Sequence, residues 1–243
     1  MLEATAFWRR VAGASDFPGV CLSYSPIYDH DVFNIENSFY LRSDPYRLGK
    51  VLGQYEIYKQ IVGLPGAVVE CGVFKGVSLI RFATFRHVLE TQESRKIIGF
   101  DAFGDFPSDG LSRDDDIDFA ATHDEQSGGP GISPEELGKL LAAKGFGNFE
   151  LVRGNVLETV EPYFANHDYE KIALLHLDMD VHAPTAVTLE KLWDRVVPGG
   201  IVMIDDYGTV SGATVAIDEF VKDKNLRIQK AAYYKIPAYI VKP

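Results

Sequence analysis

This sequence predicts a doubly wound α/β fold, a mostly parallel sheet with an antiparallel last strand, and three observations support it. From Asp44 onward, apolar stretches of strand length alternate with helical patterns. The strand-like stretches are near-continuous in Val, Ile, Leu and Phe, as parallel strands covered on both faces require. The chain closes on "LRIQKAAYYKIPAYIVKP" (226–243), two strand-like runs joined by a short turn, so the final strand should run against the others.

The elements come in this order. Residues 1–43 carry Phe7, Trp8, Tyr24, Tyr28, Phe33, Phe39 and Tyr40 without periodicity and stand apart from the rest of the chain. The stretch 44–63 reads as a helix with Asp44 as N-cap and Pro45 in its first turn; Leu48, Val51, Leu52, Tyr55 and Val62 form its apolar stripe. "AVVECGV" (67–73), "KIIGFDAF" (96–103), "FELVRGN" (149–155), "KIALLHLD" (171–178) and "GIVMIDD" (200–206) read as buried strands. A capping box, Ser133 and Glu136, opens a helix that runs out at Gly145. "APTAVTLEKLWDRVVPGG" reads as a helix ending at Pro198 and two glycines, and the stretch 104–132, rich in Gly, Asp and Ser, as a long exposed loop of the kind that forms lids.

Composition bounds the partners. The 243 residues are 46% hydrophobic and 24% charged, with 24 basic and 35 acidic residues giving a net charge of −11. Such a surface repels nucleic acid and anionic lipid. No apolar run has the length of a membrane span, and "MLEATAFWRRVAG" lacks a signal-peptide core. Cys21 and Cys71 form no zinc or redox spacing, so a reduced, cytoplasmic setting is expected.

Two clusters carry chemistry. "VECGVFKGVSL" (69–79) leaves the first strand for a helix, and Gly72 and Gly76 allow a ligand close to the backbone. As plain structure, the same spacing is a strand-to-helix turn. The next strand, however, ends on Asp101, where open α/β sheets place the acid that takes ribose hydroxyls. Glu70 before the glycines would repel a pyrophosphate, so a nucleoside without phosphates fits better: S-adenosylmethionine rather than NAD. The second cluster is acidic. "LLHLDMD" ends in Asp178, and "IVMIDDYG" ends in Asp205 and Asp206, 27 residues further on. That interval is one strand–helix–strand unit, so the three carboxylates should surround one point at a common sheet edge. Crowded carboxylates need a cation between them, and hard oxygen ligands suit Mg²⁺.

Other polar residues carry less. Asp180 reads as a loop acid or helix cap, His182 as a loop histidine, His176 as a satisfied core histidine and His87 as a surface residue. "DDDIDFAATHDE" (114–125) imitates a calcium loop but has Phe119 where the sharp turn needs Gly.

Together "VVECGVFKGVSL", "GFDAFGDFP", "LDMDVHAPT", "VPGGIVMIDDYG" and "VAIDEF", spanning 66–221, resemble the macrocin O-methyltransferase family. Its members use Mg²⁺ and S-adenosylmethionine to methylate sugar hydroxyls of macrolide and aminocoumarin antibiotics. The resemblance implies a class I methyltransferase sheet with a hairpin at its end; the domain is expected over 44–243, with 104–132 as a lid loop and the aromatic N-terminal segment (1–43) covering the substrate. It implies metal ligands at Asp178, Asp205 and Asp206. Cofactor contacts are implied along the turn at Glu70, Gly72, Gly76 and Ser78, at Asp101, and near the adenine at Asn155 and Val156. Asp178 would also be the general base, with His182 next in line. His182-Ala183 stands where the family has a Tyr-Glu pair, and Thr214-Val215 where it has a basic pair, both on the acceptor side. The expected partner is a small-molecule hydroxyl acceptor, a sugar or other vicinal diol. Homo-oligomerisation stays open, and a phenol acceptor or a non-catalytic nucleoside-binding module are the rival readings.

Overall fold

The computed structural model describes residues 30–243, so most of the aromatic N-terminal stretch lies outside the described residues. Two helices, α1 (His30–Arg42) and α2 (Pro45–Ile61), come first, followed by β1 (Ala67–Cys71), α3 (Val77–Leu89) and β2 (Ile97–Asp101). Then come α4 (Asp114–Gln126), α5 (Pro134–Ala143), β3 (Phe149–Arg153), α6 (Val156–Asn166) and β4 (Ile172–Leu177). The chain ends with α7 (His182–Leu192), β5 (Val196–Ile204), α8 (Ser211–Lys224), β6 (Gln229–Lys230) and β7 (Ala238–Val241).

The sheet has seven strands in the order β3-β2-β1-β4-β5-β7-β6. The first five are parallel, and β7 runs antiparallel to both β5 and β6. This is the class I methyltransferase arrangement that the sequence predicts. Alternate strand residues feed two apolar layers, as the two-residue period of a strand demands. Val69, Ile98, Leu175 and Val202 face one layer with α6, α7 and α8; Val68, Ile97, Leu174 and Ile201 face the other with α2, α3 and α5.

Local signals behave as expected at several ends. Asp44 caps α2 by accepting from the Tyr46 backbone N–H at 2.9 Å. Ser133 caps α5, accepting from the Glu136 backbone N–H at 3.2 Å while its hydroxyl donates to the Glu136 carboxylate at 2.9 Å.

Four expectations need correction. The apolar stripe of α2 is rotated: Leu52 and Val62 are exposed, and Gly53, Gln54, Ile57, Tyr58 and Ile61 are buried. Gly53 has no side chain, so the helix lies close against Pro237, and its neighbours decide which face is covered. The helix before β5 ends at Leu192, and Pro198, Gly199 and Gly200 belong to β5. The β4–β5 register jumps between Ile172↔Val196 and Leu174↔Ile201, so Pro198 sits in a bulge where no ladder bond is lost. The hairpin connection is residues 231–237 rather than a short turn. Finally, the 104–132 stretch holds a helix, α4, where the sequence predicts an exposed loop. Three acids in its first turn, Asp114, Asp115 and Asp116, complement the helix dipole, which also disposes of the calcium-loop likeness. The helix α6 is absent from the sequence-based elements because Pro162 lies inside it. No helix among the described residues is long and apolar enough to cross a membrane.

Candidate active site

The carboxyl ends of β1, β2 and β4 meet at one cleft of about 680 Å³, open to solvent. The turn after β1 forms its floor. Gly72 has φ +90°, and a Cβ there would overlap the Asp178 carbonyl oxygen, so only glycine lets the β1 and β4 tips lie this close. Asp101 fixes the same turn. Its Oδ2 accepts the backbone N–H groups of Val73 at 2.8 Å and Phe74 at 2.9 Å, and its Oδ1 accepts that of Phe103 at 2.5 Å. Asn155 caps α6 by accepting from the Leu157 N–H at 3.0 Å and donates to the Asp109 carbonyl at 3.2 Å.

The stretch after β2 walls the cleft. Phe74, Phe106 and His123 line it. The His123 ring lies 4.6 Å from Phe106 and 5.3 Å from Phe74, centroid to centroid. α4 is anchored from behind: buried Asp116 accepts the His182 backbone N–H at the start of α7 at 2.9 Å, and Asp115 accepts the Ser211 hydroxyl at the start of α8 at 2.7 Å.

At the cleft's edge the tips of β4 and β5 gather charge. One donor atom each from His176, Asp178 and Asp205 lies within 4.8 Å of the others. His176 is fully buried, with Nδ1 3.0 Å from Glu70 Oε1 and Nε2 3.8 Å from Asp205 Oδ1. From α2, the Lys50 ammonium donates to Asp205 Oδ2 at 2.5 Å. Asp206 is not among these three and accepts the Asp180 backbone N–H at 3.0 Å. Burial works to raise the Asp205 carboxyl, but the His176 and Lys50 charges outweigh it and hold it at about 2. Burial, then the Asp205 and Asp206 charges, push Asp178 well above the carboxylate range. Burial and Asp178 push Asp180 up to about 7.

A divalent cation fits this donor set. Asp205 Oδ1 is buried without a hydrogen-bond partner, and the carboxylates are hard donors converging on one volume. A nucleoside fits the cleft, whose lining includes Gly72, Asp101, Asn155 and Val156 beside apolar Phe74 and Met179.

The sequence-predicted residues divide accordingly. Gly72, Asp101, Asn155, Val156 and Asp178 line one cleft. Gly76 caps α3 against Leu137, and Ser78 is buried two residues further on; neither lines the cleft. Glu70 is turned into the core towards His176. His182 points its ring at Glu219, with Nε2 2.9 Å from Oε2, and does not line the cleft. Asp205 and Asp206 are adjacent in sequence but bond different partners, and Asp206 falls outside the three-residue convergence. Sequence alone does not single out Lys50, Phe106, His123 or the Glu70–His176 pair. The only signal for any of them is a histidine and a glutamate at matching depth in adjacent strands.

Comparisons with known proteins show the family. The family model described as macrocin-O-methyltransferase (TylF) matches residues 54–234. Among solved structures, CalS11, described as a calicheamicin methyltransferase, shares 26% identity over 99% of this chain and 93% of its own, with a TM-score of 0.73. The apo structure of CalS11, described as a TDP-rhamnose 3′-O-methyltransferase of calicheamicin biosynthesis, shares 25% over 90% of this chain and 89% of its own, with a TM-score of 0.65. The O-methyltransferase NovP shares 21% over 79% and 78% of the two chains, with a TM-score of 0.66, and is similar in fold. No curated protein sequence matches the chain.

Proposed function

The chain belongs to the macrocin O-methyltransferase family, and from that premise we propose that it uses S-adenosylmethionine and Mg²⁺ to methylate a sugar hydroxyl flanked by a second oxygen, in natural-product biosynthesis. One observation carries the reading: Asp178 belongs both to the cleft of the glycine turn and to the carboxylate group at the strand tips. A group held in the cleft and a hydroxyl held by the acids would therefore meet at one residue.

Position assigns the roles. The turn from Gly72 to Phe74 and the Asp101 carboxylate that fixes it would hold the nucleoside, with Asn155 and Val156 against its base. Glu70, Gly76 and Ser78 lie outside the cleft lining and would act on the cofactor only indirectly, Gly76 by capping the helix that follows the turn. S-adenosylmethionine brings an electrophilic methyl on a sulfonium. Asp178 and Asp205 would hold Mg²⁺, with Asp206 next to them, and the cation would act as a Lewis acid on the acceptor oxygen. Asp178 would take the hydroxyl proton, a general-base role. His182 could share it only by leaving Glu219. Residues 104–132 would exclude water with their aromatic side chains, and the N-terminal segment would cover the acceptor. Much of the catalysis would be positioning, because the reacting atoms must lie in line.

The test is a mass-spectrometric screen of sugars, glycosides, simple diols and phenols with S-adenosylmethionine and Mg²⁺. We expect one methyl added to a sugar, lost in EDTA and restored by Mg²⁺. Undiminished turnover in chelator would overturn the metal assignment, and methylation confined to phenols would overturn the acceptor class.

A further inference from the structure

The acids at the strand tips share their point with a histidine that the sequence alone reads as core. Sheet register puts it there. Glu70 on β1 pairs with His176 on β4, and His176 pairs with Met203 on β5. The ladder runs on past the strand ends: the Asp178 N–H donates to the Cys71 carbonyl at 2.9 Å, and the Asp205 N–H to that of Leu177 at 3.0 Å. The two-residue period therefore sets His176, Asp178 and Asp205 on the face of Leu174 and Met203, which packs with α2 and α3. Asp206 falls on the period of Val202 and Ile204, which feed the other layer.

The pairing also orients the ring. His176 Nδ1 lies 3.0 Å from Glu70 Oε1, and the Phe82 ring packs edge-on against the imidazole, with centroids 5.2 Å apart. With Nδ1 taken, Nε2 is the nitrogen left over. It lies 3.8 Å from Asp205 Oδ1, too far for a hydrogen bond but within the span of two metal–ligand bonds of about 2.0–2.2 Å each. Both atoms are buried without a hydrogen-bond partner, while Lys50 takes the other oxygen of Asp205. Buried polar atoms normally find partners, so two neighbouring orphans call for something between them. A carboxylate that holds one ring nitrogen and leaves the other open is how proteins fix a histidine to ligate a metal.

Resting on the metal-dependent reading above, we infer that His176 Nε2 is the third ligand of the metal, beside Asp178 and Asp205, with Glu70 as its positioning residue. One imidazole nitrogen and two carboxylates suit a first-row transition ion such as Fe²⁺, Co²⁺ or Zn²⁺ better than Mg²⁺, which favours oxygen throughout. Mg²⁺ can still fill the site through the two carboxylates. In the metal-free chain an imidazolium between Glu70 and Asp205 stands in for the ion, and it gives up its Nε2 proton when the metal binds. If that ion pair were the ring's only task, no bound metal would sense its nitrogen.

Pulsed EPR on the full chain loaded with Mn²⁺ tests this without turnover. We expect a nitrogen coupling to the metal that changes when histidine is labelled with nitrogen-15, and that His176→Gln abolishes. Calorimetry should show Co²⁺ binding more tightly than Mg²⁺. His176→Gln and Glu70→Gln should each cut that preference roughly tenfold or more, whereas a purely electrostatic change would weaken both ions alike. Circular dichroism checks that the variants fold, and the spectrum of the unaltered chain decides the matter even if they do not. Mn²⁺ bound with no histidine coupling, or a Co²⁺ preference that survives His176→Gln, would overturn the inference and leave His176 as half of an ion pair. Failure of every divalent ion to bind would strike the metal reading as well, so the two failures are distinguishable.

Discussion

Asp101 has two tasks, and they make a single substitution informative. Its carboxylate accepts three backbone N–H groups from the segments on either side of the cleft, and it also lines that cleft. Asp101→Asn keeps the shape but points an amide N–H at donors, so the turn loses its anchor and the cofactor its seat. Calorimetry should show S-adenosylmethionine binding weakened by about 1.5–3 kcal/mol, the range for hydrogen bonds to charged groups; unchanged affinity would refute the assignment. The acids at the strand tips should separate in the same way. Asp205→Asn should lower Mg²⁺ affinity, and excess Mg²⁺ should recover part of the rate. Asp178→Asn should leave kcat about 10²–10⁴ lower even at saturating Mg²⁺, because an amide cannot take the proton; full rescue would make Asp178 a ligand only. The acids are legible in the sequence because each apolar run stops abruptly on them. Lys50 is not, since 155 residues separate it from Asp205 and nothing near Lys50 announces a partner. Glu70 misleads for a related reason: its place before the glycines suggests a ligand contact, and only the sheet order puts His176, 106 residues away, beside it.

The helix α4 is the element on which the cleft's outer wall depends. Asp116 bonds it to the start of α7 and Asp115 to the start of α8, while His123 packs it against Phe74 and Phe106 on the cleft side. Gly212 makes this possible: a Cβ there would run into the Asp116 carboxylate and come within 2.8 Å of the His182 backbone nitrogen. Gly212→Ala should therefore push α4 off its seat while leaving the sheet intact. Hydrogen exchange across 114–126 should speed up, and the KM for cofactor should rise, with exchange in β1 and β4 unchanged. Protection in α4 equal to that of the unaltered chain would mean the helix is held by something else. No local signal announces this helix, because acids at its start, Gly and Ser around it and few apolar residues within it all read as loop; contacts with α7 and α8 supply what its own sequence lacks. The strands are the opposite case. Each central strand is buried on both faces, so its run is apolar but for the paired Glu70 and His176, and its position can be read directly.

At the scale of the whole molecule, stability and chemistry occupy opposite edges of the sheet. The proposed site gathers at the carboxyl ends of the strands, and two buried arginines work at the amino ends. Arg86 donates to the carbonyls of Arg95, Gly147 and Asn148, just before β2 and β3. Arg95 donates to the carbonyls of Ile61, Val62, Leu64 and Gly66, tying the end of α2 to the start of β1. Its charge is matched by Glu90 at 2.5 Å, with both side chains under 5% exposed, and the Tyr58 hydroxyl donates to the same carboxylate at 2.7 Å. Arg95→Met fills much of the space but strands the Glu90 carboxylate and frees four carbonyls. Breaking one side of a buried pair costs about 3–5 kcal/mol. For a chain of this size that is a fall in Tm of roughly 6–20 °C. Because the strands between the two edges are rigid and fully packed, the loss should stay at the amino edge. At a temperature where the variant is folded, S-adenosylmethionine should bind it as tightly as the unaltered chain. Scanning calorimetry checks the first half and titration the second. An unchanged Tm would show that the arginine network is dispensable, and weakened binding in the folded variant would show that the two edges are coupled through the sheet.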